Sequence, residues 1–163
     1  MEMESLRDLF VEQLKDLYSA ENQIIKALPK MIKSASADEL KSAFQKHLEQ
    51  TKGQVERLDQ IFEDLDESPR GKKCKGMEGI IKDGEEIVKS DSEPEVRDAG
   101  MIAAAQRVEH YEIAGYGTAR TYAQLLGRNN WARLLQETLD EEKETNQKLN
   151  ALAERINVEA KAA

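Results

Sequence analysis

The chain has 163 residues, 34% of them charged and only 5% aromatic, and its 32 acidic against 24 basic side chains leave a net charge of −8. That length suits one domain, read as residues 1–163, whose core must rest on Leu, Ile, Val and Ala. The acidic balance, with no basic tail to offset it, argues against nucleic-acid binding, and Cys74 as the single cysteine excludes an intrachain disulfide or a cysteine-based zinc site.

The opening MEMESLRDLF lacks the basic and apolar regions of a secretory signal, and no run approaches the roughly 18 apolar residues of a membrane span. A cytoplasmic protein with no membrane attachment is expected. Leu6, Phe10, Leu14, Leu17, Ile24, Ile25 and Leu28 then keep helical spacing and predict a helix over 5–33, capped by Ser5 with Asp8 in its first turn. Pro29 should kink or weaken its last turns. After the break SASADE, with Ser36 and Glu39 as a second capping signal, a helix over 37–65 follows on Phe44, Leu48, Thr51, Val55, Leu58 and Phe62. So short a connection makes the two antiparallel neighbours.

DESPRGKK, residues 66–73, reads as a loop, and 75–89 as a short, surface-packed helix carrying Met77, Ile80, Ile81, Ile87 and Val88. Ser92 and Pro94 mark the start of a long helix over 94–126 that stops at Gly127, and the last helix spans 130–157. Two helical hairpins joined by a long connection predict an all-α, ferritin-like four-helix bundle whose one long crossover carries a short fifth helix. The alternative is an irregular five-helix domain.

Carboxylates interrupt the apolar stripes. Glu21 stands where the seam Leu14, Leu17, Ile24, Leu28 calls for a leucine. Glu109 and Glu112 fall on the seam Ile102, Ala105, Ile113, Tyr116, Ala119, and Glu142 on the seam Leu135, Leu139, Leu149, Leu152. His47 lies one position from Leu48, on the flank of its stripe. Folding each hairpin about its turn places these residues at one depth. A lone inward glutamate is ordinarily a rim residue whose stem packs while its head reaches water. Three helices with the same irregularity at one level point instead to ligands for divalent cations, because clustered buried carboxylates repel unless protonated, paired or bound to metal. Glutamate and histidine suit iron and manganese. His47 alone reads equally as a ligand or a hydrogen-bonded core residue. His110, Glu49 and Glu56 read as solvated, and Tyr18, Tyr111, Tyr116 and Tyr122 as packing residues.

The strings DLYSAENQ, HLEQT, VEHYEIAGYGT and LLQETLDEEKET, in this order over nearly the whole chain, resemble the YciE/YciF family of bacterial ferritin-like proteins. The resemblance implies a ferritin-like fold, a di-metal site, dimers and an association with stress responses. The ligand set general to such bundles is two single glutamates and two Glu-x-x-His pairs. Here Lys52 follows Glu49-x-x, Thr145 follows Glu142-x-x, and Gln50, Gln54 and Asn146 stand where relatives often carry Glu, His and Asp.

The expected function is that of a stress-associated ferritin-like protein with a di-iron or di-manganese site formed by Glu21, His47, Glu109, Glu112 and Glu142, oxidising Fe(II) or removing peroxide. The alternative is a non-catalytic helical scaffold with a vestigial site. A homodimer is expected from the small-residue face Ala103, Ala104, Ala114, Gly115 and Ala119.

Overall fold

The computed structural model describes residues 3–163; Met1 and Glu2, which the sequence reading includes in its single domain, lie outside the described residues. Five helices follow in order, α1 (Leu6–Ser34), α2 (Asp38–Leu65), α3 (Lys75–Lys89), α4 (Pro94–Leu125) and α5 (Asn129–Ala162), with no strand among the described residues. The expected bounds hold to within a residue or two, except that α5 continues to Ala162.

Ser5 and Asp8 form the reciprocal capping box at the start of α1, satisfying two backbone donors that a helix end leaves free. The helix continues through Pro29 to Ser34. The start of α2 corrects the sequence reading: Ser36 does not cap it. The Asp98 carboxylate, reaching over from α4, accepts from the backbone N–H groups of Ser36 and Ala37, both at 2.8 Å. One buried carboxylate in place of a local hydroxyl thus ties two helix starts together. Ser92 likewise caps nothing; Glu93 occupies the cap position without a side-chain bond, and Pro94 opens α4.

α1 packs on α2 and α4, α5 packs on α4 and α2, and α3 lies over α1 and α4. Arg7 meets Glu67 at one end, and Arg155 meets Glu39 at the other. With the Asp98 tie, these contacts fix α1 and α5 antiparallel to α2 and α4, so the 66–93 connection runs the length of the bundle. The four-helix arrangement with one long crossover is the expected one.

Two apolar clusters fill the interior. The lower one holds Phe10, Leu14, Leu58, Phe62, Tyr116 and Trp131 among others. The upper one holds Ile24, Leu28, Phe44, Met77, Met101 and Ile156, and α3 forms one of its walls. Between them lies a layer of buried polar side chains.

Candidate metal centre

Each long helix sends at least one polar side chain into that layer. α1 supplies Glu21, α2 His47, Thr51 and Gln54, α4 Glu109 and Glu112, and α5 Glu142, all within 3% of complete burial. The seams of α1, α4 and α5 run as the sequence indicates. That of α2 is turned by one residue: Leu40, Phe44, His47, Thr51, Gln54, Leu58, Ile61 and Leu65 alternate in steps of three and four, which leaves Leu48 and Val55 half-buried. His47 is therefore inward, not on the flank.

His47, Glu109, Glu112 and Glu142 each offer an atom within 4.8 Å of the others, close enough to surround one ion. His47 Nδ1 lies 3.2 Å from Glu109 Oε1, and its Nε2 lies 3.9 Å from Glu142 Oε2. Glu21 stands outside this tight set. Its Oε1 accepts the Tyr116 hydroxyl, and it neighbours Glu112. His110, Glu49 and Glu56 are exposed as expected, and Gln50 accepts from Thr145 at 3.4 Å.

The layer is deficient in hydrogen bonds. Both oxygens of Glu109 and of Glu112, one oxygen each of Glu21 and Glu142, and His47 Nε2 are buried without a partner. Natural interiors rarely leave such atoms unsatisfied, because each costs about 1–3 kcal/mol. Burial accordingly pushes the Glu109 and Glu112 carboxyls well above the ordinary range and raises Glu21 to about 8, the charge of Glu142 adding to each shift. Burial also lowers His47, keeping its imidazole neutral at neutral pH. Unpartnered carboxylate oxygens around a neutral imidazole form a donor set that fits iron or manganese.

Two supporting groups lie beyond the sequence reading. Gln54 donates through Nε2 to Glu142 Oε1 and, at 2.9 Å, to Glu141 Oε2. Arg57 grips both oxygens of Glu141, at 3.0 and 2.6 Å, and reaches Thr138 at 3.1 Å. This chain anchors Glu142 from the α2–α5 side and leaves its Oε2 free. Tyr116 does the same for Glu21, so its hydroxyl serves polar contact as well as packing. The three-four alternation through Gln54 was the signal for the first; nothing in the sequence marks the pairing of Tyr116 with Glu21.

Comparison with known proteins agrees with the fold. The family described as "Domain of unknown function (DUF892)" matches residues 5–162. The chain is 49% identical to protein YciF of Escherichia coli K12 over 154 residues, covering 94% of this chain and 93% of that one. The crystal structure of the E. coli stress protein YciF superposes with a TM-score of 0.92 at 48% identity, covering 94% of this chain and 98% of the other. A ferritin-like, diiron-carboxylate protein from Bacillus anthracis str. Ames shares the fold at 16% identity, with a TM-score of 0.72 over 93% and 99% of the two chains. By sequence match and by superposition alike, this ferritin-like chain belongs to the DUF892 family, with YciF as a close relative.

Proposed function

We propose that the polar layer is a carboxylate–histidine centre for iron or manganese, and that the protein uses it in the oxidation of Fe(II) by dioxygen or in the removal of peroxide. The observation that carries this reading is the set of four partnerless oxygens on Glu109 and Glu112, facing His47 and Glu142 in a fully buried site. A bound metal supplies the one-electron chemistry that these side chains lack. His47 contributes a neutral nitrogen donor, and Glu109, Glu112 and Glu142 contribute charge. Gln54 holds Glu142 by one oxygen so that the other faces inward. Tyr116 orients Glu21 in the same way, beside Glu112, where Glu21 extends the set toward a second ion. The E. coli relative described as a stress protein supports a role in stress responses for this chain, in the cytoplasm.

The test is metal analysis of purified protein, then stopped-flow absorbance after mixing with Fe(II) and oxygen. Metal bound at one or two equivalents, with oxidation faster than in buffer, is the expected result. A specific observation favours a second reading: the Tyr116–Glu21 and Gln54–Glu142 bonds satisfy part of the layer without metal. Raised carboxyl pKa values fit a protonated, non-catalytic scaffold with a vestigial site, and absence of metal binding would select it.

The homodimer is proposed on narrower grounds than the sequence offered. Ala104 and Ala119 are buried within the chain, and Gly115 packs so closely on Leu17 that a Cβ there would meet its side chain at 2.7 Å. Ala103 and Ala114 remain exposed for a partner helix. A monomer mass by light scattering across micromolar concentrations would exclude the dimer.

A further inference from the structure

Beneath the crossover helix, between α1, α3 and α4, lies a cavity of about 50 Å³. That is several times the space a single water needs, yet dry cavities in proteins are apolar ones. Its walls include Ile24, Leu28, Ile81, Val88 and Val108, with Lys30 and Glu85 at its rim, 3.5 Å apart. One buried polar residue belongs to the lining, and it is His47. The cavity therefore runs from beneath α3, near the surface, to His47, whose imidazole faces Glu109 and Glu142.

This path has the wrong chemistry for an ion and a suitable one for an uncharged gas. A hydrated cation would have to shed its water against hydrocarbon, whereas an apolar diatomic molecule loses nothing there and gains dispersion contacts. The carboxylates themselves are fully buried, so any co-reactant has to reach them through packed side chains. In the lower cluster rings fill the interior, Phe10 stacking on Trp131 and Tyr18 meeting Phe62 at nearly a right angle.

We propose that the cavity under α3 is a binding seat and passage for a dioxygen-sized apolar gas, leading to the His47 end of the centre. Its purpose rests on the metal reading given above; its occupancy does not. The fold accounts for its location. α3 meets α4 through small residues, Gly84 lying where an added Cβ would touch the Ala104 Cβ at 3.4 Å. Large side chains on both sides of the gap then bridge an opening that small ones leave unfilled.

Methyl NMR of the metal-free protein under dissolved dioxygen, against nitrogen, tests occupancy. Paramagnetic relaxation should be enhanced at Ile24 and Leu28 beyond that at Ile61 and Leu58, which are equally buried in the lower cluster. Ala27→Leu, placed on the half-buried α1 wall, should abolish the excess, and Ile81→Ala should enlarge it. Both variants leave His47 and the glutamates intact, so Fe(II) affinity should not change. Oxidation of the Fe(II)-loaded protein should slow several-fold in Ala27→Leu and not in Ile81→Ala. Equal enhancement in the two clusters would overturn the gas seat. So would an enhancement displaced only by a larger organic molecule, which would make the cavity a substrate pocket. Excess enhancement with unchanged oxidation rates in Ala27→Leu would overturn the passage. Excess enhancement in a protein that binds no iron would keep the seat and reject the metal centre, so the two failures are distinguishable.

Discussion

The two halves of the bundle solve the same packing problem differently. In the lower half four helices close on one another around rings: Phe10 stacks on Trp131 at 5.7 Å between centroids and 12° between planes, and Tyr18 and Phe62 meet at 88° with centroids 6.0 Å apart. Asp64 accepts the Trp131 indole N–H at 3.0 Å, tying α2 to α5 at that end. In the upper half Phe44 is the one ring of the buried cluster, aliphatic and sulfur side chains fill the rest, and α3 forms a wall that the four helices leave open. A ring-filled base and an aliphatic upper half lidded by α3 are thus separated by a polar layer belonging to neither. The contrast sets the polar layer on a ring-filled floor and beneath an aliphatic roof, the half in which the proposed gas seat lies.

The largest expected effect tests the floor. Phe10→Ala should cost about 3–5 kcal/mol in denaturant unfolding, the range for truncating a buried aromatic. Metal affinity measured on the folded variant should stay near the parental value, because the layer hangs on the helices and not on the ring. A matching loss of affinity would show that the halves are not separable.

Next comes the layer itself. Saturation with Mn(II) or anaerobic Fe(II) at about 100 times its dissociation constant should stabilise the fold by roughly 2.7 kcal/mol, provided the unfolded chain binds none. Glu109→Gln should lose most of that gain and yet melt higher than the parent without metal near neutral pH. If it melts lower without metal and responds equally to metal, Glu109 is a structural residue.

The pH dependence has a definite sign. Glu21 rises from an ordinary 4.5 to about 8, so the folded, metal-free protein holds a proton that the unfolded chain releases. That contribution to stability is fully present below the unfolded value and is lost as pH rises toward about 8. His47 acts oppositely, but only below its ordinary 6.5. Between pH 6.5 and 8 the metal-free melting temperature should therefore fall, and Glu21→Gln should flatten the slope. A flat parental profile over that window would reject the raised carboxyls.

A smaller effect tests the upper half. Asp98→Ala leaves the backbone N–H groups of Ser36 and Ala37, at the half-exposed start of α2, without their carboxylate acceptor and should cost about 0.5–2 kcal/mol, the range for loss of a helix cap. Hydrogen exchange should quicken at the starts of α2 and α4 with the floor unaffected; exchange spread evenly over both halves would contradict the division.

Much of this was legible in the chain, and the misses are instructive. The seams of α1, α4 and α5 are unambiguous because Glu21 and Glu109 each sit between leucines, isoleucines or alanines three or four residues away, and Glu142 follows Leu139 by three residues and precedes Leu149 by seven. In α2 the apolar Leu48 and Val55 compete with the polar His47 and Gln54 for the inward face. Hydrophobicity favours the wrong pair, because the side chains filling the layer there are the polar ones. Ser36 was a sound local cap, overridden by a carboxylate 62 residues away in sequence, and no local pattern reveals such a partner. Small residues on α4 permit close approach of a helix, but two of those that the sequence assigns to a partner are used within the chain, Ala104 against α3 and Gly115 against α1.

The crowding of acidic groups in the layer also sets what must leave when something enters. Burial raises Glu21 to about 8 and pushes Glu109 and Glu112 well above the ordinary carboxyl range, so a metal-free site favours their protonated forms. On the proposed reading an ion seated between Glu109 and Glu112 displaces both protons, and a second ion beside Glu21 displaces another. The layer then behaves as an exchanger of protons for metal, staying close to electrical neutrality whether empty or full. Acidification, which returns the protons to the carboxylates, would empty it.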